Sequence, residues 1–205
     1  MTRLTIALTA FALVGAGGFA QADESLALGK PAPAASTKLK DVVSGKETSI
    51  AQAAGKKGTL VVFTCNNCPY AKAWEERIVA LGNEYGKKGV GVLLVNSNSP
   101  DVSKHDTFDK TQARAKERGM TFAYAVDPTS SVAKAFGATK TPEAFLFGKD
   151  GKLVYHGTID DNHEDAGKVE KKYLEDALKS VAAGTKPAVQ ETKSLGCGIK
   201  FPKVS

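Results

Sequence analysis

The chain has 205 residues and a formal net charge of +6, with 28 lysines and arginines against 22 aspartates and glutamates. This length is enough for one domain with a sizeable hydrophobic core. The lysines are spread along the chain and are not interleaved with aromatic residues, so the charge indicates a solvated surface and argues against a nucleic-acid partner.

The first 22 residues have the pattern of a secretory signal peptide. Arg3 supplies a positive start, residues 4–14 are an apolar stretch too short to span a bilayer, and Ala20-Gln21-Ala22 is a small-x-small cleavage site. An uncleaved membrane anchor is the alternative, which the short apolar stretch disfavours. We therefore expect a periplasmic or secreted protein without stable membrane insertion, in a compartment where disulfides persist.

The rest of the chain divides into a leader, one folded domain and a tail. Residues 23–37 are rich in alanine, proline and serine, which is typical of a flexible leader. The domain is expected over residues 38–183. Residues 184–205 show little periodic signal and form a tail that carries Cys197.

Strands and helices alternate along the domain. Strands are expected near residues 39–43, 60–63, 90–95, 122–126, 143–147 and 153–156, the last two joined by a hairpin turn at Asp150-Gly151. Helices are expected from Ser49 to Gly55, from 71 to about 85, from Ser99-Pro100-Asp101 to Gly119, from Ser130 to Phe136, and from 168 to 183. This order predicts an α/β fold with a central mixed sheet flanked by helices.

Cys65 and Cys68 form a C-x-x-C pair where the strand at 60–63 hands over to a helix. A thiol at the first turn of a helix feels the positive end of the helix dipole, which favours the thiolate. A thiol three residues later lies close enough to form a disulfide. A static structural disulfide or half of a zinc site are the alternatives, but the sequence has no second C-x-x-C and no H-x-H partner. We expect neither a metal nor a cofactor.

The element order, with C-x-x-C at this junction and Thr141-Pro142 before a later strand, resembles the thioredoxin-like superfamily. It is similar in particular to exported redoxins of the TlpA/ResA-like and peroxiredoxin-like branches, which carry an additional helix–strand unit, here expected within residues 100–126. The ending Ser194-Leu195-Gly196-Cys197-Gly198-Ile199-Lys200 is similar to tails of an uncharacterised bacterial branch.

The resemblance implies roles for four residues. Cys65 would attack a disulfide and Cys68 would resolve the mixed disulfide, with Cys65 the more exposed and the nearer to the helix N-terminus. Pro142 would be a cis-proline that faces the cysteines, and the backbone of Thr141 would be open to an incoming peptide strand.

Other candidate residues have less to support them. Cys197 is the odd cysteine: a shielded spare thiol, a thiol paired with another molecule, or an additional redox thiol that reaches back to Cys65 or Cys68. Glu143 is expected to be a solvent-facing strand residue. The histidines show no metal-ligand spacing: His105, His156 and His163.

The leading interpretation is an exported thiol–disulfide oxidoreductase that acts on protein or small-molecule disulfides or dithiols, with a redox partner that the sequence does not name. The alternative is a peroxiredoxin-like thiol peroxidase with an antioxidant role. Two departures argue against it: Val62 stands where such peroxidases have Thr or Ser, and no arginine follows Arg118. A metal-binding module is a third hypothesis.

Overall fold

The computed structural model describes residues 25–203, so the predicted signal peptide, residues 1–22, lies outside the described residues. The strands are β1 (Leu39–Asp41), β2 (Glu47–Thr48), β3 (Gly58–Thr64), β4 (Val90–Asn96), β5 (Ala123–Val126), β6 (Lys140–Thr141), β7 (Glu143–Gly148), β8 (Leu153–Gly157) and β9 (Cys197–Gly198). The helices are α1 (Ile50–Ala53), α2 (Pro69–Lys87), α3 (Phe108–Glu117), α4 (Ser131–Phe136) and α5 (Tyr173–Ala182), with a 3-10 turn at Ala166–Lys168. Within residues 25–203, none of the helices is long and apolar enough to cross a membrane.

Seven strands form one mixed sheet in the order β2-β1-β5-β4-β3-β7-β8, and β6 pairs with β9 in a small second sheet. The central strand β3 runs parallel to β4 and antiparallel to β7. Leu60 and Val62 point into one hydrophobic cluster while Val61 and Phe63 point into the other, because successive side chains of a strand face opposite sides. The predicted fold class, a mixed sheet covered on both faces, is confirmed.

Two helices begin later than the sequence pattern suggests. The helix expected from Ser99-Pro100-Asp101 starts at Phe108, because the preceding loop folds around the buried carboxylate of Asp106. The last helix starts at Tyr173 instead of Lys168. The expected helix–strand insertion is nevertheless present as α3 and β5.

Both ends of the described part of the chain pack on the domain. Within the expected flexible leader, Leu26 and Leu28 lie against the cluster that contains Phe136, and the Leu26 amide donates to the Phe136 carbonyl at 2.9 Å. The tail runs beside β8, where the Thr192 amide donates to the His156 carbonyl at 3.0 Å, before it reaches β9. Apolar side chains and backbone hydrogen bonds therefore hold segments that lack a helix or strand pattern.

Candidate active site

The C-x-x-C pair lies at the corner between β3 and α2. Both sulfurs are shielded, since Cys65 is 7% exposed and Cys68 is 3% exposed. Cys68 is the N-cap residue of α2, because Pro69 lacks an N–H and suits the first helical position. The expectation that Cys65 lies nearer the helix N-terminus is therefore wrong. Cys65 is more exposed than Cys68, as expected, but only slightly.

The loop at Thr141-Pro142 faces the two cysteines, and its peptide bond is cis. The Cys65 sulfur lies 3.3 Å from the hydroxyl oxygen of Thr141, and the Cys68 thiol donates to the Thr141 carbonyl at 3.1 Å. The structure thus brings together the four residues that the resemblance singled out. One threonine contacts both sulfurs through two different oxygens.

The two thiols titrate as a coupled pair. Their mutual hydrogen bond, followed by burial, raises the pKa of Cys65 above its ordinary range. The same hydrogen bond lowers the pKa of Cys68 to about 4 against the effect of burial, with smaller contributions from Cys197 and from the Ala71 amide. The Thr141 carbonyl accepts a hydrogen bond from the protonated Cys68 thiol and so opposes the loss of its proton. The pair therefore loses its first proton easily and its second with difficulty, and carries one negative charge at neutral pH.

A buried carboxylate that the sequence analysis missed holds the loop between the cysteines. Asp106 accepts from the Asn66 amide at 2.8 Å and from the side-chain amides of Asn96 and Asn98 at 2.9 Å each, and also from the Ser103 hydroxyl. Asn96 ends β4 level with Thr64, the last residue of β3. Polar residues directly after a buried parallel strand are the signal that could have indicated this cluster, because the carboxyl ends of parallel strands share one edge of the sheet.

Glu143 is buried, which contradicts the expectation of a solvent-facing residue. Its carboxylate accepts from the amides of Thr139 and Lys140 at 2.9 Å each and lies 2.7 Å from the Nε2 atom of His156. Burial opposes ionisation, but these hydrogen bonds outweigh it and lower the pKa of Glu143. The Ser194 hydroxyl of the tail also donates to it, at 3.2 Å. Glu143 therefore anchors the proline loop and the tail.

Cys197 lies at the pair although 129 positions separate it from Cys68 in sequence. It is half-buried and packs against the cluster formed by Cys65, Cys68 and Ala71. Strand β9 places Cys197 directly opposite Thr141 in an antiparallel register. The Thr141 edge that was expected to be open to a peptide is therefore occupied by the chain's own tail.

Across residues 25–203, no group of three or more histidine, cysteine, aspartate or glutamate side chains is arranged to hold a metal ion. His105 is exposed, and His163 lies beside the rings of Tyr70 and Trp74.

Comparison with known proteins places this site in a family context. Residues 28–156 match the AhpC/TSA family. The thiol-disulfide oxidoreductase ResA of Bacillus cereus is 24% identical over 164 residues, which cover 80% of this chain and 84% of that protein. A hypothetical protein from Sinorhizobium meliloti has a structure with a TM-score of 0.80 and 32% identity, covering 87% of this chain and 97% of that one. The structure of an uncharacterised protein from Geobacillus kaustophilus has a TM-score of 0.81 and 32% identity, covering 88% of this chain and 95% of that one.

The fold and the family agree. A thioredoxin-like protein solved in its oxidised form has a TM-score of 0.62 at 22% identity, covering 78% of this chain and all of that one, which supports the fold alone. The family match spans more than half of the chain, from the docked leader through β8. The chain therefore belongs to the AhpC/TSA family and is a redoxin with a thioredoxin-like fold.

Proposed function

We propose that the protein is an exported thiol–disulfide oxidoreductase in which Cys65 attacks a disulfide and Cys68 resolves the product. The observation that carries this proposal is the contact of both sulfurs with Thr141 beside the cis bond to Pro142. Two thiols at one strand–helix corner can exchange a disulfide with a substrate without moving the backbone far. The similarity to ResA supports the same reaction class.

The cycle starts from the reduced pair with its single negative charge. The proton of Cys65 moves along the hydrogen bond to Cys68. The Cys68 thiol formed in this way donates to the Thr141 carbonyl. The Cys65 thiolate attacks one sulfur of the substrate disulfide, and the other substrate sulfur leaves as a thiolate. Cys68 then gives up its proton and attacks the Cys65 sulfur. The pair becomes a disulfide, and the substrate leaves with two electrons more; its two thiolates take the proton of Cys68 and one proton from water, so it ends as a dithiol.

Thiol peroxidase activity is the second candidate because of the AhpC/TSA family match. The surroundings of the pair favour it less. Val62 is fully buried in the core, and each arginine of residues 25–203 is engaged by carboxylates: Arg77 by Asp160, and Arg114 and Arg118 by Glu75. We therefore rank disulfide exchange above peroxide reduction.

A redox titration tests the proposal directly. The purified protein is equilibrated in mixtures of reduced and oxidised dithiothreitol, and its thiols are counted by alkylation and mass spectrometry. We expect a reversible two-electron transition, assigned by peptide mass to a Cys65–Cys68 disulfide, that the Cys65→Ser, Cys68→Ser double variant loses. A pair that stays reduced in every mixture would contradict the proposal. Consumption of hydrogen peroxide at a rate that exceeds disulfide exchange would favour the peroxidase.

Trapping in cells identifies the substrate. The Cys68→Ser variant cannot resolve a mixed disulfide, so we expect a partner attached to Cys65. The Cys65→Ser, Cys68→Ser double variant is the matched control. Cell fractionation of the full chain, with sequencing of the mature N-terminus, tests export: we expect Asp23 as the first residue of a periplasmic or secreted protein.

A further inference from the structure

The tail covers the route to the cysteine pair. Strand β9 pairs with β6, the strand that ends at Thr141, so a substrate strand and the tail compete for one edge. Cys65 and Cys68 are both buried in this arrangement, so little of either residue is open to a protein partner. Cys197 is half-buried and thus the most accessible of the three thiols.

The tail is held on both sides of Cys197. Upstream, the Ser194 hydroxyl donates to Glu143. Downstream, Ile199 is buried and its amide donates to the Thr139 carbonyl at 3.0 Å, while the Lys200 amide donates to the Asn98 side chain at 2.7 Å. These contacts hold the tail on the domain and keep Cys197 beside Cys65 and Cys68.

Thr141 ties the three cysteines together. Its hydroxyl lies against the Cys65 sulfur and donates to the Cys197 carbonyl at 3.4 Å, and its own carbonyl accepts from Cys68. Directly opposite residues of an antiparallel pair have Cβ atoms about 4.5–5.5 Å apart. The Cys197 side chain therefore lies within the contact layer that also holds Cys68.

We propose that Cys197 is a third redox thiol, through which a dithiol protein reduces the buried pair by way of a Cys68–Cys197 disulfide. This inference rests on the proposed function, since the oxidised pair is its starting point. The tail is then the part of the enzyme that a reducing partner meets.

The relay balances as two exchange reactions. Cys197 gives up its proton and attacks the Cys68 sulfur of the oxidised pair; the Cys65–Cys68 bond breaks, the Cys68–Cys197 bond forms, and Cys65 takes the proton. A thiolate of the partner then attacks the Cys197 sulfur, and Cys68 leaves as a thiolate. The second thiol of the partner attacks the partner sulfur that is bonded to Cys197, and Cys197 leaves and takes the proton of that thiol. The partner becomes a disulfide, the pair is reduced, and Cys197 ends as a thiol.

The lowered pKa of Cys68 suits the second exchange, in which Cys68 is the leaving thiol. A low-pKa thiol leaves faster in disulfide exchange, and the pKa of Cys68 is lowered to about 4. Burial, followed by the hydrogen bond with Cys68, raises the pKa of Cys197 to about 11. Cys197 therefore rests as a protonated thiol beside a charged Cys68 in the reduced enzyme.

A trapped intermediate tests the first step. The reduced Cys65→Ser variant is treated with diamide, and a non-reducing digest is analysed by mass spectrometry. We expect a Cys68–Cys197 disulfide within one chain, formed at a rate that does not depend on protein concentration. Cys65→Ala serves as a second variant. A disulfide found only between chains, or none, would overturn the relay.

Kinetics test the second step. The oxidised Cys197→Ser variant is re-reduced by a thioredoxin, as the protein dithiol, or by dithiothreitol. We expect re-reduction by thioredoxin to slow by about tenfold or more, with little change for dithiothreitol, which is small enough to reach the pair directly. Adding Leu195→Cys to this variant returns a thiol two residues away on an exposed position and should not restore the rate. Equal thioredoxin rates with and without Cys197 would refute the relay.

The two proposals fail in different ways. If the wild-type pair cycles in dithiothreitol while Cys65→Ser forms no Cys68–Cys197 bond, the relay alone is wrong. If the wild-type pair does not cycle, the oxidoreductase proposal is wrong and the relay fails with it.

Discussion

Replacing Gly196 with alanine should release the tail from the active site. A Cβ atom at position 196 would lie 2.2 Å from the Thr141 carbonyl oxygen and 2.7 Å from its carbon, and backbone atoms cannot yield as a flexible side chain can. Strand β9 must therefore move away from β6. The matched control is Gly198→Ala, since a Cβ atom there meets nothing closer than the Thr139 oxygen at 4.0 Å.

The size of the effect follows from the contacts at stake. Three hydrogen bonds hold the chain just after Gly196: Ile199 N to Thr139 O, Lys200 N to the Asn98 side chain, and Ser99 N to Lys200 O. At about 1 kcal/mol each, they contribute about 3 kcal/mol to docking of the tail. Since about 1.4 kcal/mol is a factor of ten, their loss should make the undocked state about 100-fold more populated.

The assay measures access to Cys197. In a background that lacks the other two thiols, Cys65→Ser with Cys68→Ser, a bulky maleimide modifies the half-buried Cys197 faster when the tail is undocked. We expect Gly196→Ala to accelerate the modification by up to about 100-fold and Gly198→Ala to change it by less than about threefold. Equal rates in the two variants would show that the close approach at Gly196 does not hold β9 in place.

Three further predictions concern the buried polar groups. Asp106→Ala leaves four donors without their acceptor and should lower the free energy of unfolding in urea by about 3 kcal/mol or more. The thiolate absorbance near 240 nm should persist well below the ordinary thiol pKa of 9.0 and disappear as the pH falls through about 4, with Cys65→Ala moving this midpoint upward because Cys68 loses its hydrogen-bond donor. Glu143→Gln should flatten the acid dependence of stability: the lowered pKa means that the carboxylate stabilises the fold above pH 4.5 and loses this effect as the pH falls through the lower value.

Each of these has a control. Asp101→Ala removes an exposed carboxylate from the same loop and should leave stability nearly unchanged. Cys197→Ser should retain a thiolate midpoint far below 9.0, because the largest cause of the lowered Cys68 pKa is Cys65. Glu191→Gln removes an exposed carboxylate of the tail and should keep the acid dependence. Variants that behave like their controls would contradict the corresponding prediction.

The sequence by itself determined the elements whose residues carry a local signal. The apolar runs of β3 and β4, the hairpin at Asp150-Gly151 and the C-x-x-C pair before a helix all follow from side-chain periodicity and short-range turn chemistry. These patterns were enough to predict a mixed sheet, its helical layers and the corner that holds Cys65 and Cys68.

Only the tertiary structure decided what surrounds that corner. Asp106 lies in a loop and accepts from Asn96 of β4 and from Asn66 between the cysteines. The polar residues after β4 indicate a cluster at this edge of the sheet, but no local pattern shows that Asp106 is its acceptor. Glu143 is buried because His156, 13 residues later, supplies its partner. Cys197 reaches Thr141 across 56 positions through backbone pairing in a segment without periodicity. The physical reason is the same in each case: a hydrogen bond or a sulfur contact between distant residues depends on where the folded chain places them, and local sequence does not encode that position.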